Sequence, residues 1–116
     1  MNENAMVVET QYVFPVVHFS GDIDIDQVPR LRMALDTLID DTATDLVLDL
    51  SAVDYIDSTG LGLLVAVHKK LAGIKARYVL LVPHASQKKV FEITGLTTVL
   101  TLVDSLEEAL EILGTV

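Results

Sequence analysis

The apolar positions of this chain change rhythm repeatedly, and each change marks an element. Residues 6–10 and 13–19, MVVET and VFPVVHF, concentrate β-branched and aromatic side chains and read as two short strands. Pro15 has no N–H to give a sheet ladder, so it marks an edge position or a bend. In GDIDIDQVPRLRMALDTLIDD the rhythm becomes helical: Val28, Leu31, Leu35, Leu38 and Ile39 share a face, and Pro29 suits a first turn. DLVLDL (45–50) is apolar and compact, as expected of a central strand covered on both faces, and DYIDSTG follows at its carboxyl end. Leu61, Leu64, Val65, His68, Leu71 and Ala72 mark the face of a second helix, which Gly73 is placed to end as a C-cap.

ARYVLLV (76–82) reads as another buried strand closed by Pro83, SQKKVFEITG (86–95) as a short helix with Gly95 after it, and TVLTLV (98–103) as the last strand. Ser105 and Glu108 form a capping box for a terminal helix over LEEALEIL. After a hairpin-like beginning, strands and helices alternate. That pattern predicts an α/β layer, a mixed β-sheet of about four to five strands flanked by about four helices. No repeat, low-complexity tract or linker divides residues 1–116, which read as one domain.

Composition narrows the partners. A chain of 116 residues buries about two-thirds of its unfolded surface. Although 51% of the residues are apolar, no run approaches the eighteen or so needed to cross a bilayer, and MNENAMVVET lacks the basic region and cleavage site of a secretory signal. A cytoplasmic protein is the expectation. The absence of cysteine removes disulfides, thiolate metal ligands and thiol nucleophiles together. A net charge of −9 repels phosphate backbones and anionic headgroups, so neither nucleic acid nor membrane is expected as a partner. Lys69, Lys70, Lys75, Arg77, Lys88 and Lys89 all lie in the second half, leaving the first half strongly acidic and suited to a basic partner.

The segment DYIDSTGLG (54–62) sets carboxylates, adjacent hydroxyls and glycines where a buried strand hands over to a helix. In open α/β sheets functional sites gather beyond the carboxyl ends of strands. Asp57 or Ser58 is suited to cap the helix by accepting from its first free N–H groups. Gly60 and Gly62 fall in the first turns, where each costs up to about 1 kcal/mol relative to alanine. They either let the helix pack tightly on the sheet or leave its end bare for a macromolecule to approach the hydroxyls, and both explanations stand. A second acidic stretch, GDIDID, lies on the same sheet edge if the two strands are parallel neighbours, so Asp22, Asp24 and Asp57 would converge. Asp26 is the most cap-like residue there. Such carboxylates suit Mg²⁺ chemically, but no metal signature is present. Leu61 suits the core and Tyr55 a contact surface.

FSGDIDID, LVLDLSAVDYIDSTGLGLLVAVHKKL and FEITGL together resemble, in order and over nearly the whole chain, the STAS-domain proteins, in particular the bacterial anti-sigma factor antagonists. The run Asp57-Ser58-Thr59-Gly60-Leu61-Gly62 is the specific part of the likeness. The resemblance implies a mixed sheet flanked by helices and a protein that binds an anti-sigma factor; a monomer with no catalytic residue, metal or cofactor is the expectation. Its unphosphorylated form would bind an anti-sigma factor and so free a sigma factor for transcription. The resemblance also implies that the anti-sigma factor is an ATP-dependent serine kinase and that a metal-dependent, PP2C-type phosphatase restores the active form. The modified hydroxyl in the family directly follows the aspartate, which is Ser58 here, with Thr59 as the rival acceptor. Asp24 and Asp57 match acidic positions tied to partner binding and phosphorylation, and Asp22, Ser58, Thr59, Gly60, Leu61 and Gly62 complete the partner-binding set.

STAS domains also serve in lipid-transport and stress-signalling complexes. A non-phosphorylated interaction subunit is therefore the alternative, in which DSTGLG only caps and packs a helix. An enzyme is not expected: Gly-x-Ser-x-Gly is absent, His18, His68 and His84 show no paired pattern, and GLGLL lacks the lysine and spacing of a P-loop.

Overall fold

The structure, a computed structural model, describes residues 6–114; the reading of the first ten residues as free of a leader touches residues 1–5, which lie outside that range. Its elements run β1 (Met6–Glu9), β2 (Val16–Ile23), α1 (Val28–Thr42), β3 (Leu46–Ile56), α2 (Ser58–Gly73), β4 (Tyr78–Leu81), α3 (Ala85–Ile93), a 3₁₀ turn (Leu96–Thr98), β5 (Leu102–Val103) and α4 (Leu106–Gly114). The strands form a sheet in the order β1-β2-β3-β4-β5, antiparallel at the first pair and parallel at the rest. The mixed sheet with four helices is thus the expected architecture.

Strand order explains the layers. Each crossover from β2 to β5 moves one strand in the same direction, and right-handed connections then put every connecting helix on one face. Leu31, Leu35 and Ile39 of α1, Leu63, Leu64, Val67 and Leu71 of α2, and Phe91 of α3 accordingly share a core with Val17, Phe19, Leu46, Leu48, Leu50 and Leu80. On the opposite face Ala109 and Leu113 of α4 close over Val16, Val47, Val79, Leu81 and Val103. Residues Leu46 to Leu50, Asp49 among them, are consequently all buried, covered on both sides as in a central parallel strand.

Several boundaries differ from the sequence pattern. The second strand begins at Val16 and continues through Ser20, Gly21 and Asp22 to Ile23; a left-handed φ of 79° at Gly21 and register irregularities beside it absorb what reads locally as a turn. Pro15 precedes this strand, its carbonyl accepting from Val47 N–H at 3.1 Å while its missing N–H is not needed. The third strand likewise runs on through Tyr55 to Ile56, so DYI belongs to the strand.

The buried face of α2 is turned from the expected one: Leu63 and Val67 are buried and Ala72 is exposed. Gly73 does not cap this helix. The chain closes at Ile74 and Lys75, the latter left-handed at φ 59°, with Ala76 N–H returning to Leu71 O at 2.9 Å. TVLTLV contributes only Leu102 and Val103 to the sheet, because Leu96–Thr98 coils first. In α4, Ser105 Oγ accepts from Glu108 N–H at 3.1 Å as a capping box requires, while Glu108 reaches back to Asp104 N–H at 2.9 Å. Among the described residues no helix is long and apolar enough to cross a membrane.

Candidate functional site

Because β2 and β3 are parallel neighbours, their carboxyl ends bring GDIDID and DSTGLG side by side. One carboxylate joins them. Asp57, in extended conformation at the N-cap of α2, accepts through Oδ1 from Gly60 N–H at 2.9 Å and from the Thr59 hydroxyl at 2.5 Å. Through Oδ2 it accepts from Ile25 N–H at 3.1 Å, across the gap to the loop after β2. Its own N–H donates to Ile23 O at 3.2 Å. The Thr59 hydroxyl first, then Gly60 N–H, with a further contribution from Ile25 N–H, hold the Asp57 carboxyl below its ordinary range.

Asp24 has a different part. Its carboxylate accepts from Asp26 N–H at 3.1 Å and Gln27 N–H at 3.2 Å, so Asp24 closes its own loop and opens α1. Asp26 is therefore not the cap: it stands exposed, and the N-cap position of α1 belongs to Gln27, whose side chain makes no capping bond. Asp22 is exposed near the end of β2 and pairs in register with Tyr55. The three aspartates share an edge, and Asp57 ties the two loops together.

The two glycines divide the two explanations between them. A Cβ on Gly60 would lie 2.5 Å from Ile23 O, 2.6 Å from Ile56 Cγ1 and 2.9 Å from Ile23 Cγ2. Gly60 is thus where α2 is pressed onto the sheet. A Cβ on Gly62 would meet nothing within 4 Å. Gly62 is exposed and leaves that side of the first turns bare. Leu61 is half-buried against the core, its N–H bonded to Asp57 O at 3.0 Å.

The hydroxyls also separate. Thr59 is half-buried and its hydroxyl is committed to Asp57. Ser58, the first residue of α2, is exposed, and its hydroxyl makes no hydrogen bond to another described residue. Beside it, Tyr55 is 57% exposed, as expected of a contact residue, and Ile25 is 65% exposed. Ile25 was not legible as a site residue: its side chain is apolar, and only the tertiary placement of its N–H makes the link to Asp57. No histidine serves Ser58. His18 lies between Glu9 and Asp49, His68 bonds the Tyr78 hydroxyl at 2.8 Å, and His84 bonds Ser51 O at 2.8 Å. Among the described residues no group of three His, Cys, Asp or Glu is arranged to hold a metal ion. The arrangement sets an exposed serine hydroxyl on an acidic edge of the sheet.

Comparison with known proteins places this geometry. The model of the STAS domain matches residues 5–109. An anti-sigma-B factor antagonist of Staphylococcus aureus (strain NCTC 8325 / PS 47) is 40% identical over 88 residues, covering 75% of this chain and 81% of that protein. The crystal structure of an anti-sigma factor antagonist from Mycobacterium paratuberculosis superposes with a TM-score of 0.82 at 31% identity, covering 96% of this chain and 94% of the other. The Bacillus cell fate determinant SpoIIAA in its phosphorylated form superposes with a TM-score of 0.69 at 27% identity, covering 92% and 97%.

Proposed function

Because the chain belongs to the family of STAS domain proteins, we propose that it acts as an anti-sigma factor antagonist. In its unphosphorylated form it binds an anti-sigma factor, so that a sigma factor is released for transcription. Phosphorylation of Ser58 by the anti-sigma factor, acting as an ATP-dependent serine kinase, ends that binding, and a PP2C-type phosphatase restores it. The relative from Staphylococcus aureus bears the antagonist's name, and SpoIIAA exists in a phosphorylated form. The observation that carries the choice of residue is the free, exposed hydroxyl of Ser58 beside the engaged hydroxyl of Thr59.

The physics follows from what surrounds that hydroxyl. A phosphate adds roughly −1.5 to −2 charges at a helix N-terminus, an end that favours an exposed anion by about 0.3–1 kcal/mol. Asp57 already occupies Gly60 N–H, so the phosphate arrives where a donor is taken and a carboxylate is ionised. Water and salt screen the repulsion in the free protein. A docked partner displaces that water, and a dianion then faces a surface shaped for a hydroxyl. A penalty of only about 2.8 kcal/mol weakens binding a hundredfold. Since Ser58 is exposed and its hydroxyl holds no hydrogen bond to another described residue, the modification blocks docking and leaves the domain itself in place.

The test combines the protein with a purified anti-sigma factor from the same cell and ATP, maps the phosphopeptide and measures affinity by titration calorimetry. Phosphate is expected on Ser58. Ser58→Ala should bind and take up no phosphate, whereas Ser58→Asp should bind about a hundredfold more weakly with unchanged circular dichroism and melting. Phosphate on Thr59, or a Ser58→Asp variant that binds like the wild type, would overturn the reading.

A further inference from the structure

On the face of the sheet that α4 covers, a polar ladder crosses three strands. His18 of β2 has Nδ1 at 2.7 Å from Asp49 Oδ2 of β3 and Nε2 at 2.8 Å from Glu9 Oε1 of β1. The remaining carboxylate oxygens are also engaged. Asp49 Oδ1 accepts from Ser51 N–H at 2.9 Å, and Glu9 Oε2 accepts from the Gln11 side-chain amide. Glu9 and Asp49 are therefore acceptors on both sides. A neutral imidazole has one donor, so only the doubly protonated ring satisfies both contacts. Both acceptors are carboxyl groups partly shielded from solvent, with Asp49 only 9% exposed.

The ladder bears on one edge of the sheet. β1 is a four-residue edge strand joined only to β2. Met6 and Val8 pack against the main core, whereas Val7, opposite His18, is 57% exposed. Beside that packing, the Glu9–His18 pair is a polar side-chain contact that ties this strand through β2 to Asp49 of the central strand.

We infer that the Glu9–His18–Asp49 ladder is a proton-operated clamp on β1, closed while His18 is an imidazolium and released when the ring loses a proton. The ionisable groups facing the ring are Glu9 from β1 and Asp49 from β3. Burial by itself lowers the tendency of His18 to hold its proton, and the hydrogen bonds and charges of both carboxylates outweigh that, raising the pKa above the ordinary 6.5. The sign follows. The clamp's contribution is complete below pH 6.5 and is lost as pH rises through the higher folded value. The window therefore opens at pH 6.5 and lies above it.

Two measurements on the full chain test this. In the ¹⁵N spectrum of the imidazole, His18 should carry protons on both ring nitrogens at about pH 6 and titrate at a higher pH than histidine in a short peptide. Hydrogen exchange of the β1 amides, corrected for the intrinsic pH dependence, should lose protection by roughly tenfold across that same titration, the effect of one lost charge-assisted bond. His18→Gln should remove the pH dependence. Should that variant fold poorly, Glu9→Gln, altered on the edge strand alone, should lower the His18 midpoint and reduce the change in protection. A neutral His18 with one protonated nitrogen at about pH 6, or β1 protection that stays constant while His18 titrates, would overturn the inference.

Discussion

Replacing Gly60 and Gly62 separately by alanine should move stability in opposite directions, although both lie in the first turns of one helix. Helix propensity alone predicts a gain of up to about 1 kcal/mol at each site. At Gly60 the added methyl would sit 2.5 Å from the Ile23 carbonyl oxygen, a backbone atom in a sheet, and 2.6 Å from a side-chain carbon of Ile56. Neither neighbour yields cheaply, so the start of α2 must lift from the end of β2, stretching the Asp57 N–H to Ile23 O bond. Overpacking of this kind costs typically 1–3 kcal/mol, and contact with an immovable carbonyl puts it near the upper end, leaving a net loss of about 2 kcal/mol. At Gly62 no atom lies within 4 Å, so the propensity gain remains whole. Thermal unfolding monitored by circular dichroism should give Gly60→Ala a melting point lower by about 8 °C and Gly62→Ala one higher by up to about 4 °C. If Gly60→Ala is as stable as the wild type, or Gly62→Ala is the more damaging of the two, the assignment of close packing to Gly60 is wrong.

Thr59→Val should leave phosphorylation at Ser58 intact while raising the Asp57 pKa toward its ordinary 3.8, because the hydroxyl is the largest cause of its depression; carbonyl ¹³C shifts against pH report this. A depressed pKa contributes stability above the unfolded value and loses it as pH falls. Acid unfolding below pH 3.8 should accordingly be less steep in Asp57→Asn than in the wild type, as read from melting points across that range. Leu35→Ala removes a fully buried side chain from the α1 face and should cost about 2–5 kcal/mol in urea unfolding while leaving the affinity of folded protein for its partner unchanged. With Gly62→Ala, stability and binding should part: the methyl stiffens α2 but fills a bare surface beside Ser58, so calorimetry should show weaker docking by a more stable protein.

Periodicity along the chain was enough to reveal the alternation of strands and helices, because burial of one helix face or both strand faces writes its period directly into the order of side chains. Leu31, Leu35 and Ile39 in α1 and the run Leu46 to Leu50 in β3 are such cases. The motif around Ser58 was legible for a related reason: glycine in a first turn has a local cost, and its presence signals that something else requires it. Strand limits were less legible. Gly21 and Asp22 carry turn chemistry, yet pairing with β3 keeps them in the sheet, and ladder bonds to a distant strand outweigh a local preference.

Which glycine packs and which lies open, which hydroxyl is free, and which aspartate joins the loops depended on atoms far apart in sequence. Asp57 meets Ile25 across thirty-two positions, and His18 meets Asp49 across thirty-one. Period and composition describe the neighbours a residue has along the chain. Hydrogen bonds and steric contacts between separated segments come into being only when β2 and β3 lie side by side, so the close packing of Gly60, the link from Asp57 to Ile25 and the pairing of His18 with Asp49 were decided there.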